Sequence, residues 1–157
     1  MTDAPTIRIN PDAEIGHHPI NERFSAVVVD DFLLNADEIV AYACEHYDQF
    51  EMPERSYPGR VYDLQVDELG PLHQYWRSKL SKIFGFTRID IEDYCLLSVT
   101  TLQPEQFSWI QRLPHTDPRT QAGRDNYALL VYLFDNPDLG GTGFYRYRDE
   151  KFWQSMV

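Results

Sequence analysis

At 157 residues the chain is long enough for one domain with a real hydrophobic core and leaves little room for a second, so residues 1–157 are expected to form a single domain. A hydrophobic share of 43% and an aromatic share of 14%, with ten Tyr and nine Phe, exclude global disorder and low complexity. The formal net charge of -11 opposes binding to nucleic acid and to anionic membrane surfaces alike, and is read as a source of solubility.

Residues 1–23 carry Pro5, Pro11, Gly16 and Pro19 among polar residues and read as an irregular arm, with a short strand at Thr6 to Ile9. The stretch MTDAPTIRINPDAEIG has no basic region followed by an apolar core, so no secretory signal is expected. No apolar run approaches the roughly 20 residues that cross a bilayer, and a cytoplasmic protein is expected by default. His17 and His18 lie in the arm. Neighbours in an extended segment point to opposite sides, so the pair is read as a loop feature without a ligand role.

Residues 24–93 read as a supporting region. Phe24 to Val29, with its consecutive valines, fits a buried strand. Asn35 is a good N-cap, and Asp37 and Glu38 fall where carboxylates favour the helix dipole. Ile39, Val40, Ala43 and Tyr47 recur at helical spacing, which predicts an amphipathic helix over Ala36 to Tyr47. His46 and Asp48 make a His-x-Asp pair here, but residues two apart on a helix point about 200° apart around its axis, so the pair does not grip one ion. A loop then contains the Tyr57-Pro58-Gly59 turn and leads to a short strand around Val61 to Leu64. Leu69 to Phe84 predicts a second helix, with Pro71 in its first turn, an apolar stripe of Leu72, Tyr75, Trp76, Leu80 and Ile83, and Gly85 as its stop. That stripe is read as core.

From Ile89 the period changes to alternation. Ile89 to Ile91 and Tyr94 to Leu102 predict sheet, Gln103-Pro104-Glu105 interrupts it, and Phe107 to Leu113 is the next strand. Asn126 to Phe134 is apolar on both faces and predicts a central strand. Residues 135–141 form a turn cluster, and Thr142 to Arg148 alternates, with Tyr145 and Tyr147 on one face and Arg146 and Arg148 on the other. Cys44 and Cys95 have no CxxC spacing and read as buried reduced thiols, a single disulfide being the alternative.

The chemistry concentrates at His115-Thr116-Asp117. In extended backbone, residues i and i+2 project to one face, so His115 and Asp117 can present an imidazole nitrogen and a carboxylate oxygen to the same metal ion. Pro114 and Pro118 disfavour helix in the residues immediately before them. Two histidines and one carboxylate on one face of a metal make the facial triad of non-haem Fe(II) oxygenases, with positions left open for cosubstrate and dioxygen.

The order His115-Thr116-Asp117, Gly123-Arg124, Val131-Tyr132-Leu133-Phe134-Asp135-Asn136 and Gly140-Gly141-Thr142 resembles the prolyl-hydroxylase-like branch of the Fe(II)/2-oxoglutarate-dependent oxygenases. The opening, a valine-rich strand, Asp30-Asp31-Phe32-Leu33 and a helix, is also similar. The resemblance covers Phe24 to Tyr47 and Tyr94 to Arg148. It implies an α+β, mainly β fold, a double-stranded β-helix (jelly roll, cupin-like) with N-terminal helices packed on one sheet and its strands in residues 94–157. It further implies that His115 and Asp117 are two ligands of Fe(II), that Tyr132 hydrogen-bonds 2-oxoglutarate, and that the protein is a dioxygenase hydroxylating an amino-acid side chain, peptide or small molecule. Arg124 falls near the implied substrate entrance, where a solvated loop arginine is the equal alternative.

Two departures shape the expectation. Leu102 stands about where many relatives place a cosubstrate tyrosine, and no histidine follows His115 to serve as the distal ligand. The chain is therefore expected to be truncated within the jelly roll, before that ligand. The alternatives are completion of the sheet by another chain, as in a homo-oligomer covering exposed strand edges, or a non-catalytic binding or assembly module in which Tyr127, Tyr132, Tyr145 and Tyr147 form a pocket or interface. A two-ligand hydrolytic metal site ranks last, because neither a Gly-x-Ser-x-Gly elbow nor a His-Glu-x-x-His helix is present.

Overall fold

The computed structural model describes residues 4–22, 24–53, 57–64, 69–85, 95–115 and 127–145. Its first paired elements are β1 (Glu14–Pro19) and β2 (Ser25–Asp30), antiparallel with Gly16 opposite Val28 and His17 opposite Val27. Residues 14–19, expected within the irregular arm, are thus a strand. Its sequence has no apolar alternation, so pairing with β2, and not its own pattern, makes it one. β2 is half-exposed instead of buried: Val27 and Val29 turn toward the core, whereas Val28 faces out. The short strand expected at Thr6 to Ile9 is reduced to one bridge, Ile9 to Leu33, flanked by hydrogen bonds from Asn10 N to Phe32 O and from Leu34 N to Arg8 O.

Helix α1 (Ala36–Glu45) begins at Asn35, with Asp37 and Glu38 in its first turn. The Asn35 side chain does not cap it in the expected way. Buried at 3% exposure, it accepts from Arg8 N at 2.9 Å and donates to Thr6 O at 3.0 Å and to Glu38 Oε2 at 3.1 Å. These bonds, with the Arg8–Glu38 ion pair, fasten the N-terminal segment across the start of the helix. Satisfying a buried amide through the segment it holds outweighs a solvent-side cap, because an unpaired buried polar group costs more than one hydrogen bond gains. α1 ends earlier than expected, and a 3₁₀ turn (Tyr47–Gln49) follows. His46 is buried there, stacked on Tyr42 at 4.1 Å, and its Nδ1 donates to Tyr42 O at 2.9 Å.

β3 (Gly59–Leu64) pairs antiparallel with β4 (Cys95–Thr100), Gly59 opposite Thr100 and Leu64 opposite Cys95. A bridge from Glu51 to Val61 ties in the chain that leaves α1. Around this pair lies the larger core cluster, Ile7, Ile39, Tyr42, Phe50, Leu64, Leu69 and Leu97. α1, β3 and β4 each supply part of one apolar interior.

The second helix is not one uninterrupted α-helix. α2 (Gly70–Tyr75) passes through a π-helical turn (Trp76–Leu80) into α3 (Ser81–Phe84), which stops at Gly85 with φ of 70°. The wider turn hydrogen-bonds five residues back and brings Tyr75 and Leu80, five apart, into one cluster with Phe32. Leu72, Trp76 and Ile83 pack around them, so the expected stripe is core. Tyr75 meets the edge of Phe32 at 5.1 Å, and its buried hydroxyl has no hydrogen-bond partner among the described residues. Burial pushes its phenol above the ordinary value. Replacing Tyr75 by Phe removes that unpaired group while keeping the ring, so denaturation of Tyr75→Phe is expected to show unchanged stability or a gain of about 1 kcal/mol. A loss of that size would mean the hydroxyl is bonded after all.

Both cysteines are free thiols, but Cys44 is exposed on α1, contrary to the expectation of burial, and Cys95 is half-buried at the start of β4. Burial, then the nearby Asp63 carboxylate, push the Cys95 thiol above its ordinary value of 9.0. A raised thiol pKa favours the neutral form in the folded chain, so this contribution is intact below 9.0 and is lost as the pH climbs through the folded value. In iodoacetamide labelling at pH 8, Cys44 is expected to react first and Cys95 more slowly, since the thiolate is the nucleophile. Faster labelling of Cys95 would contradict that environment.

Candidate functional site

The approach to His115 is built from hydrogen bonds that begin in the Tyr57-Pro58-Gly59 turn. Thr101 N and Leu102 N both donate to Pro58 O at 3.2 Å, and Tyr57 Oη shares a hydrogen bond with Thr100 Oγ1 at 3.2 Å. β4 therefore leaves the sheet pinned to the turn that starts β3. Leu102, expected where relatives carry a cosubstrate tyrosine, is half-buried and held by its backbone.

Phe107 to Leu113 is not the expected strand. A 3₁₀ turn (Pro104–Gln106) is followed by another (Ile110–Arg112), and local side chains stabilise both. Gln103 N donates to Gln106 Oε1 at 2.8 Å, while Ser108 N and Ser108 Oγ donate to Gln111 Oε1 at 2.8 and 3.0 Å. Gln103 and Gln106 form a capping box at the first turn, Ser108 and Gln111 bond across the start of the second, and these local bonds override the apolar content of the segment. Gln111 also donates to Tyr57 O at 3.3 Å, and Arg112 donates to Phe107 O and Glu105 O. Gln111, which ties this turn to Tyr57, is the bracing residue that sequence reading missed, and its three-residue spacing from Ser108 is the signal that could have found it.

His115 emerges from this braced turn, exposed to solvent. Asp117, its expected partner, lies outside the described residues, as do Arg124 and Tyr147. Among the described residues no three His, Cys, Asp or Glu side chains are grouped so as to hold a metal ion. An imidazole and a carboxylate are donor types that Fe(II) accepts. His17 and His18 lie on β1 and His73 on α2, each in a separate element from His115.

Tyr132 lies in the segment expected to be a central strand. Residues 127–134 make no strand ladder among the described residues, and Leu130, Val131, Tyr132 and Phe134 are exposed. Leu129 packs on the Phe32–Tyr75 cluster and Leu133 on the larger one, while Tyr127 meets Phe84 with ring centroids 4.7 Å apart. The segment is thus anchored by side chains to both cores. The expected turn cluster contains a 3₁₀ turn (Pro137–Leu139), in which Asp138 N donates to Asn136 Oδ1 at 2.9 Å, and Gly140 takes φ of 90°. Such a φ favours glycine. Reversal there brings the Tyr132 hydroxyl into a hydrogen bond with Thr142 Oγ1, and Phe134 lies edge-on to Tyr132 at 5.5 Å. Thr142 to Tyr145 carries no ladder among the described residues, with Phe144 and Tyr145 exposed, and the remainder of the expected strand lies outside them.

No helix among the described residues is long and apolar enough to cross a membrane. The chain belongs to the family described as "Family of unknown function (DUF6445)", whose model matches residues 11–156. No curated protein and no solved structure matches it.

Proposed function

We propose that this member of the DUF6445 family is an Fe(II)/2-oxoglutarate-dependent oxygenase-like protein built on a double-stranded β-helix. In this reading His115 and Asp117 supply an imidazole and a carboxylate to Fe(II), and Tyr132 hydrogen-bonds 2-oxoglutarate. The hydrogen bond between Tyr132 and Thr142 is the observation that carries the reading. It joins two separate parts of the resemblance, the Tyr-Leu element and the Gly-Gly-x element, across the turn at Gly140. Bound iron and cosubstrate would supply oxidising power toward a C–H bond of an amino-acid side chain, peptide or small molecule. The protein's own part is to present His115 just after the turn braced by Gln111 and to orient the Tyr132 hydroxyl through Thr142.

The test is anaerobic addition of Fe(II) and 2-oxoglutarate to the full-length gene product. A weak visible charge-transfer band is expected, and His115→Ala is expected to remove it. A folded wild-type protein without the band would overturn the reading.

A second reading, a non-catalytic jelly-roll binding or assembly module, is favoured by the exposure of Tyr127, Tyr132 and Tyr145, at 44%, 49% and 77%. Absence of stoichiometric iron, together with a concentration-dependent oligomer in sedimentation, would support it over the first.

A further inference from the structure

We draw no further inference here: the strongest candidate, the exposed apolar side chains of Trp109, Ile110 and Leu113 on the braced turn, is an unpartnered patch, and nothing in the structure shows what covers it.

Discussion

Phe50→Ala is expected to lose about 4 kcal/mol of stability, the cost of emptying a large aromatic site that collapses only in part. Phe50 is 2% exposed and belongs to the cluster that joins α1, β3 and β4. Its ring stacks on Tyr62 at 5.4 Å and meets Tyr47 at 5.7 Å, while its carbonyl accepts from Arg60 Nη1 at 3.2 Å. The Arg60 guanidinium also sits 5.6 Å from the Tyr47 ring, so truncation removes the middle of a stacked group. A domain of this size has a total stability of roughly 5–15 kcal/mol, so the variant should unfold at much lower urea. Phe50→Leu, which keeps much of the volume, should lose clearly less. A loss below about 1 kcal/mol for the alanine variant would show that this site is not the core described.

Gly59→Ala is expected to cost about 3 kcal/mol, the upper end for overpacking a tight site. A Cβ at Gly59 would lie 2.0 Å from Val99 O and 2.8 Å from Thr100 Cα, and both obstacles are backbone of the paired strand. A flexible side chain could move aside; a strand in register cannot without breaking its ladder. Because Pro58 O receives Thr101 N and Leu102 N at the same place, the damage should extend to the turn leading to His115. Denaturation together with hydrogen exchange at residues 95–102 provides the measurement. Near-native stability and protection would contradict the β3–β4 register. Gly141→Ala serves as the contrast, since a Cβ there meets nothing within 4 Å.

The N-terminal half of the fold was largely readable because its elements carry their own signals. α1 has helical spacing and acidic first-turn residues, β3 follows a Pro-Gly turn, and Gly85 ends α3 in the left-handed conformation. β1 was not readable, because Glu14 to Pro19 has neither alternation nor β-branched density and is ordered by its neighbour. The π turn was also hidden: the apolar spacing of residues 72–83 suits a regular helix, and Phe32, which clusters with Tyr75 and Leu80, is far away in sequence.

In the candidate site, apolar content was a poor guide beyond Phe107. Strand propensity there yields to side chains that bond their own backbone, Gln106 and Gln111 above all, and Asn126 to Phe134 looks central in a sheet although its described residues make no strand ladder and reach the cores through Leu129 and Leu133, with Tyr127 on Phe84. The Gly140-Gly141 turn was legible, and Tyr132 and Thr142 meet across it. The partnership of His115 with Asp117 rests on their i, i+2 spacing, with Asp117 outside the described residues.

The most direct measurement is therefore anaerobic equilibrium binding of Fe(II) to the full-length gene product and to its His115→Ala and Asp117→Ala variants, with folding of each verified by circular dichroism. If the pair holds iron, the wild-type protein binds one equivalent and either substitution weakens binding by tenfold or more, equivalent to at least about 1.4 kcal/mol. Equal binding by all three folded proteins, or no binding by any, would contradict the assignment of His115 and Asp117 as metal ligands.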